Sequence, residues 1–93
     1  MEIVQKEYFV TTIDFHDAIK EMYKGKVVQY VGTTVGNIYV DKGSKFCMRR
    51  GVVFLYIDGE IKEGGMVYDP DFRYKITNEV IDTRQWPIKR NQT

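Results

Sequence analysis

The apolar positions between residues 12 and 25 recur with helical spacing. Phe15, Ala18, Ile19, Met22 and Tyr23 fall at i, i+3, i+4, i+7 and i+8, a single stripe on one helix face. Thr12 or Asp14 supplies the N-cap, while Lys20, Lys24 and Gly25 supply a basic last turn and a left-handed stop. Ahead of this helix, residues 2–10 read as a strand with Val4, Tyr8 and Val10 on one face. After it the period drops to two. Segments 26–31, 37–40 and 45–49 read as short strands, separated by turns at 32–36 and 41–43. Residues 52–57, Val-Val-Phe-Leu-Tyr-Ile, are apolar on both faces, which predicts a central strand covered on both sides. Asp58-Gly59 closes it as a hairpin. Glu60–Lys62 and Met66–Tyr68 flank Gly64-Gly65, and Asp69-Pro70-Asp71 is a further turn. Phe72–Ile76 alternates, placing Phe72, Tyr74 and Ile76 in the core. Thr77 then caps a short helix from Asn78 to about Arg84, with Val80 and Ile81 inward and Trp86-Pro87 as its stop.

These elements predict one α+β domain over residues 1–93. Its sheet is antiparallel, strongly curled and built of about five to seven short strands, with one N-terminal-half helix packed on it and a short C-terminal helix. The helix covers one sheet face. A second subunit or the sheet's own curl must cover the other face of 52–57. A domain this small, with one cysteine and no metal set, gains stability from self-association, so a homo-oligomer is expected.

Composition narrows the chemistry. The chain is 43% hydrophobic and 29% charged, and 14 basic residues against 13 acidic ones leave a formal charge of +1. That balance argues against general nucleic-acid or membrane-surface binding, which rests on excess positive charge. One cysteine allows no intrachain disulfide, and one cysteine with one histidine cannot build a four-ligand zinc site. The first residues carry charge where a signal peptide needs its apolar core, and no apolar run approaches the roughly 20 residues of a membrane helix. A cytoplasmic protein is the expectation.

No catalytic constellation assembles. His16 lies between Asp14 and Asp17 off the apolar stripe and reads as a solvated histidine; Cys47, between Phe46 and Met48, reads as a structural thiol. The glycine segments 32–36 and 41–45 match no phosphate-loop pattern, and the turn carboxylates lack calcium-loop spacing. No cofactor is implied. One local patch draws interest: Lys42, Lys45, Arg49 and Arg50 interleave with Tyr39 and Phe46. Cations for phosphate and rings for bases are the combination that holds a nucleotide. A solvated charged face with ordinary strand aromatics competes with that reading. Aromatic residues make up 14% of the chain, with seven tyrosines, and Tyr30, Tyr56 and Trp86 add stacking surface. The candidate ligand-binding set is therefore Tyr30, Tyr39, Lys45, Arg49, Arg50, Tyr56 and Trp86.

Two segments carry a family resemblance. The pattern Phe15-x-x-Ala18-x-x-x-x-x-x-Gly25-Lys26-x-Val28 resembles the opening of small phage proteins of the Thoeris anti-defence type-two group. The close, Ile76-Thr77-Asn78-Glu79-Val80-Ile81-Asp82-Thr83-Arg84-Gln85-Trp86, is similar to that group's terminal short helix ending in an acidic residue and tryptophan. Together they span about a quarter of the chain. Tyr30 stands near the position of the group's arginine, no tryptophan follows it, and Gln85 replaces the aspartate before Trp86. The resemblance implies a non-enzymatic sponge that holds a small cyclic nucleotide immune signal between subunits of a homo-oligomer in the host cytoplasm. Relatives of similar fold that inhibit CRISPR nucleases directly supply the alternative, a protein–protein inhibitor of a host defence protein acting through an aromatic-rich surface.

Overall fold

The computed structural model describes residues 11–40 and 42–82. Among the described residues, helix α1 (Phe15–Tyr23) precedes six strands: β1 (Lys26–Thr33), β2 (Ile38–Tyr39), β3 (Lys45–Arg49), β4 (Val52–Ile57), β5 (Glu60–Lys62) and β6 (Phe72–Val80). Asp14 is the N-cap, its Oδ1 accepting from the Asp17 N–H at 2.9 Å. The helix ends where the Gly25 N–H donates to the Met22 carbonyl at 3.0 Å. Ala18 and Met22 are fully buried, whereas Tyr23, placed in the stripe by its spacing, is 60% exposed. Tyr23 sits in the last turn, at the margin of the buried stripe.

The sheet is antiparallel throughout and not closed. β6 runs along one edge of β1, while the other edge of β1 is shared by β3 near Val28 and β2 near Thr33. β4 and β5 continue outward from β3. The two hairpins at the ends of β4 have two-residue loops, Arg50-Gly51 and Asp58-Gly59, with φ of 53° and 78° in the first and 52° and 80° in the second. Positive φ at both positions defines the turn that matches strand twist.

Alternation along the strands builds two cores. Val28, Phe46, Met48 and Tyr74 pack with Ala18 and Met22 under the helix, joined by half-buried Val53 and Leu55 from β4. On the opposite face Val27, Cys47 and Phe54 cluster with Tyr56, Ile61 and Ile81. The second face of β4 is thus buried at Phe54, beside its cross-strand partner Cys47. Its ends, Val52 and Ile57, stay exposed.

Three expectations change. Residues 66–68 form no strand and run as part of an extended loop between β5 and β6. Ile76 is exposed rather than buried and takes no part in the core under α1. Asn78–Val80 continue β6 instead of opening a helix, since Lys26 of β1 pairs with Val80. Thr77 does not cap; its Oγ1 donates to the Val27 carbonyl at 2.8 Å. The strand expected at 2–10, the remainder of the expected C-terminal helix and Trp86 lie outside the described residues. Among the described residues no helix is long and apolar enough to cross a membrane.

Candidate functional site

Three open clefts meet at the segment Lys42–Lys45, where the chain enters β3. The first, about 390 Å³, lies over β1 and β6 and is bordered by Gln29, Lys45, Lys75, Thr77 and Glu79. The second, about 340 Å³, runs from Lys42, Ser44 and Lys45 to Tyr56 and Asp58. The third, about 290 Å³, is aromatic and lies on the helix side of the sheet, with Ser44, Tyr30, Phe72 and Tyr74 in its wall. Lys45 belongs to the first two and Ser44 to the last two.

The segment is fixed by β1. The Tyr30 N–H donates to the Ser44 carbonyl at 2.8 Å, and Gln29 Nε2 donates to the Gly43 carbonyl at 3.1 Å. Position 43 admits only glycine, because a Cβ there would lie 1.9 Å from the Tyr30 carbonyl oxygen. Lys45 Nζ pairs with Glu79 Oε1 at 3.0 Å, with both side chains more than a third exposed. A pair so exposed contributes less than about 1 kcal/mol and yields readily to a stronger anion.

The sequence-derived residues divide into two groups. Lys45 and Tyr56 are direct cross-strand partners at the clefts, and Tyr30 lines the aromatic one. Arg49 pairs with Val52 at the far end of the same ladder, four residues or roughly 13 Å from Lys45. Arg50 occupies the β3–β4 turn, and both arginines already have partners. Tyr39 lies on β2, half exposed and away from the clefts. The patch that looked continuous along the chain is therefore split by the length of β3. Lys75, Gln29 and Ser44 were not picked out. Lys75 had a signal: with Phe72 and Tyr74 assigned inward, Arg73 and Lys75 must face the other way.

Groups suited to catalysis stand apart. Cys47 is fully buried, and burial pushes its thiol up to about 11 although the Arg49 charge pulls the other way. A thiol held in its protonated form is a poor nucleophile. His16 is exposed on α1, its ring 5.5 Å from that of Tyr68. No group of three metal-ligating side chains occurs among the described residues. What the site offers is Lys42, Lys45 and Lys75 on one side and a set of rings on the other.

Compared with family models, with curated protein sequences and with solved structures, the chain finds no match in any of the three.

Proposed function

We propose that this protein binds a small phosphorylated ligand of the cyclic nucleotide class without transforming it, and so sequesters an immune signal as a phage anti-defence protein. The observation that carries this reading is the position of Lys45, on the common wall of two clefts whose rims also hold Lys42 and Lys75. Lys45 with Lys42 on one cleft and with Lys75 on the other attracts a few phosphate oxygens, whereas the near-neutral chain does not attract a long polyanion. Tyr56, opposite Lys45, gives a ring on which part of the ligand stacks. Binding without chemistry fits the inert Cys47 and the remote His16. The family resemblance of residues 15–28 and 76–86 supports the biological setting, and with it a homo-oligomer in the host cytoplasm.

Equilibrium dialysis against cyclic dinucleotides, cyclic trinucleotides and cyclic ADP-ribose isomers tests the reading. At least one is retained at one per protomer and returns with unchanged mass after heat release, and Lys45→Ala weakens retention at least tenfold. Retention of none, or return of a hydrolysed product, overturns it.

Protein–protein inhibition has a separate basis. Val35, Ile38 and Tyr39, contiguous around β2, are all more than half exposed, a grouping that suits a partner surface. Ile38→Ala with Tyr39→Ala leaves nucleotide retention intact under the first reading and abolishes activity against a host factor under the second.

A further inference from the structure

We infer that the phosphate group of the ligand sits over Gln29, between Lys45 and Lys75, and that the Glu79 carboxylate holds this position until the ligand displaces it. The inference rests on the phosphate-ligand reading above and adds where the anion lies and what competes with it. Strand register brings the residues together. Gln29 of β1 stands directly opposite Lys45 on one side and Lys75 on the other, and Lys45 stands opposite Tyr56. Direct antiparallel partners project from the same face of a sheet. Lys75, Gln29, Lys45 and Tyr56 therefore form one row across β6, β1, β3 and β4. With neighbouring strands about 4.8 Å apart, the lysine backbones flank Gln29 roughly 10 Å from each other. Lysine side chains are long enough to meet at one anion across that gap. The cleft of about 390 Å³ over β1 and β6 opens at this row.

Gln29 gives the row a fixed polar floor. It is 8% exposed, and its Nε2 is anchored by donating to the Gly43 carbonyl at 3.1 Å. The charges around it are uneven. Lys45 Nζ lies 3.0 Å from Glu79 Oε1, whereas Lys75 has no ion pair among the described residues. An internal carboxylate thus neutralises one lysine and leaves the other open. A phosphate that reaches both ammonium groups makes two charge-assisted contacts in exchange for the one it breaks. The broken pair is weak, because its side chains are 38% and 39% exposed and Glu79 returns to water. Glu79 is tethered to the site, so it competes at a fixed effective concentration. It lowers the affinity of every anion that takes its place and sets the ligand concentration at which the site fills. One step beyond Lys45 in the same row, Tyr56 receives the ring of a ligand whose phosphate lies over Gln29.

The test titrates the full chain with inorganic phosphate and follows side-chain signals by nuclear magnetic resonance. Phosphate shifts the signals of Lys45 and Lys75 and the carboxyl signal of Glu79. Glu79→Gln, which keeps the size of the side chain and removes its charge, binds phosphate about three- to fivefold more tightly with an unchanged circular dichroism spectrum. Lys75→Ala binds it at least threefold more weakly. In a Lys45→Ala background the gain from Glu79→Gln shrinks below about twofold, which separates displacement from a general loss of negative charge. If phosphate shifts Lys45 but binds Glu79→Gln no more tightly, or if the gain persists without Lys45, the competition is wrong and the phosphate reading stands. Shifts at Lys42 and Lys45 without Lys75 put the phosphate in the neighbouring cleft and overturn the position over Gln29, again leaving the phosphate reading in place. If phosphate moves none of these lysines in either the natural chain or Glu79→Gln, the phosphate reading falls and this inference falls with it.

Discussion

At the scale of single residues, two buried protonated groups tie stability to alkaline pH. Cys47 rises from 9.0 to about 11 and Tyr74 from 10.0 to about 12, chiefly through burial. The folded chain therefore keeps protons that the unfolded chain has already lost. The contribution of these two groups is constant below about pH 9 and is lost as pH climbs from 9 to 12, by roughly 2 kcal/mol for each. Urea unfolding at pH 8, 10 and 11 measures this, and Cys47→Ala removes the part that begins near pH 9; equal midpoints at pH 8 and 11 contradict it. Gly43 is the other sensitive position. Gly43→Ala forces a Cβ into the Tyr30 carbonyl, moves the segment 42–45 and destabilises by more than about 2 kcal/mol, read as a lower urea midpoint. The chemistry of Lys45 and Tyr56 was legible in the sequence because they are near in the chain and joined by a hairpin. Alternation gave the faces of Tyr74 and Lys75, but not that Lys75 stands across β1 from Lys45, since that depends on the register of β6 and β3 with β1 at Gln29.

Among elements, the helix and the hairpins followed their local signals, and the last strand did not. The Asp14 cap, the buried Ala18 and Met22, and Gly25 at the helix end are all features of spacing. Ala18 and Gly25, with Lys26 and Val28 after them, lead the helix directly into β1. Asn78–Val80 was misread because Thr77 resembles a cap and Val80 and Ile81 have helical spacing. Pairing with β1 prevailed, and Thr77 turned its hydroxyl to the Val27 carbonyl. Arg50 offers a test at this scale. An arginine at φ 53° is strained where asparagine is comfortable. Arg50→Asn raises stability by roughly 0.5 kcal/mol, a gain of a few degrees in Tm. Ligand retention is unchanged in that variant if binding centres on Lys45. Retention lost with Arg50→Asn moves the site to the β3–β4 turn.

For the whole molecule, Phe54 is buried on the second face of β4, for which the sequence left a second subunit and the sheet's own curl as alternative covers. Both sheet faces carry a core, one under α1 and one where Val27, Cys47 and Ile81 cluster with Phe54. The α+β class and antiparallel meander were readable from alternation and turns. The meeting of three clefts at residues 42–45 was not, because it depends on β1 being shared among β2, β3 and β6. The central claim is that this meeting point holds a small anionic nucleotide. Thermal denaturation with saturating members of the cyclic nucleotide panel tests it most directly, because a ligand bound only to the folded chain must raise Tm. The account predicts an increase of several degrees for at least one member, lost in Lys42→Ala with Lys45→Ala; an unchanged Tm across the whole panel contradicts it.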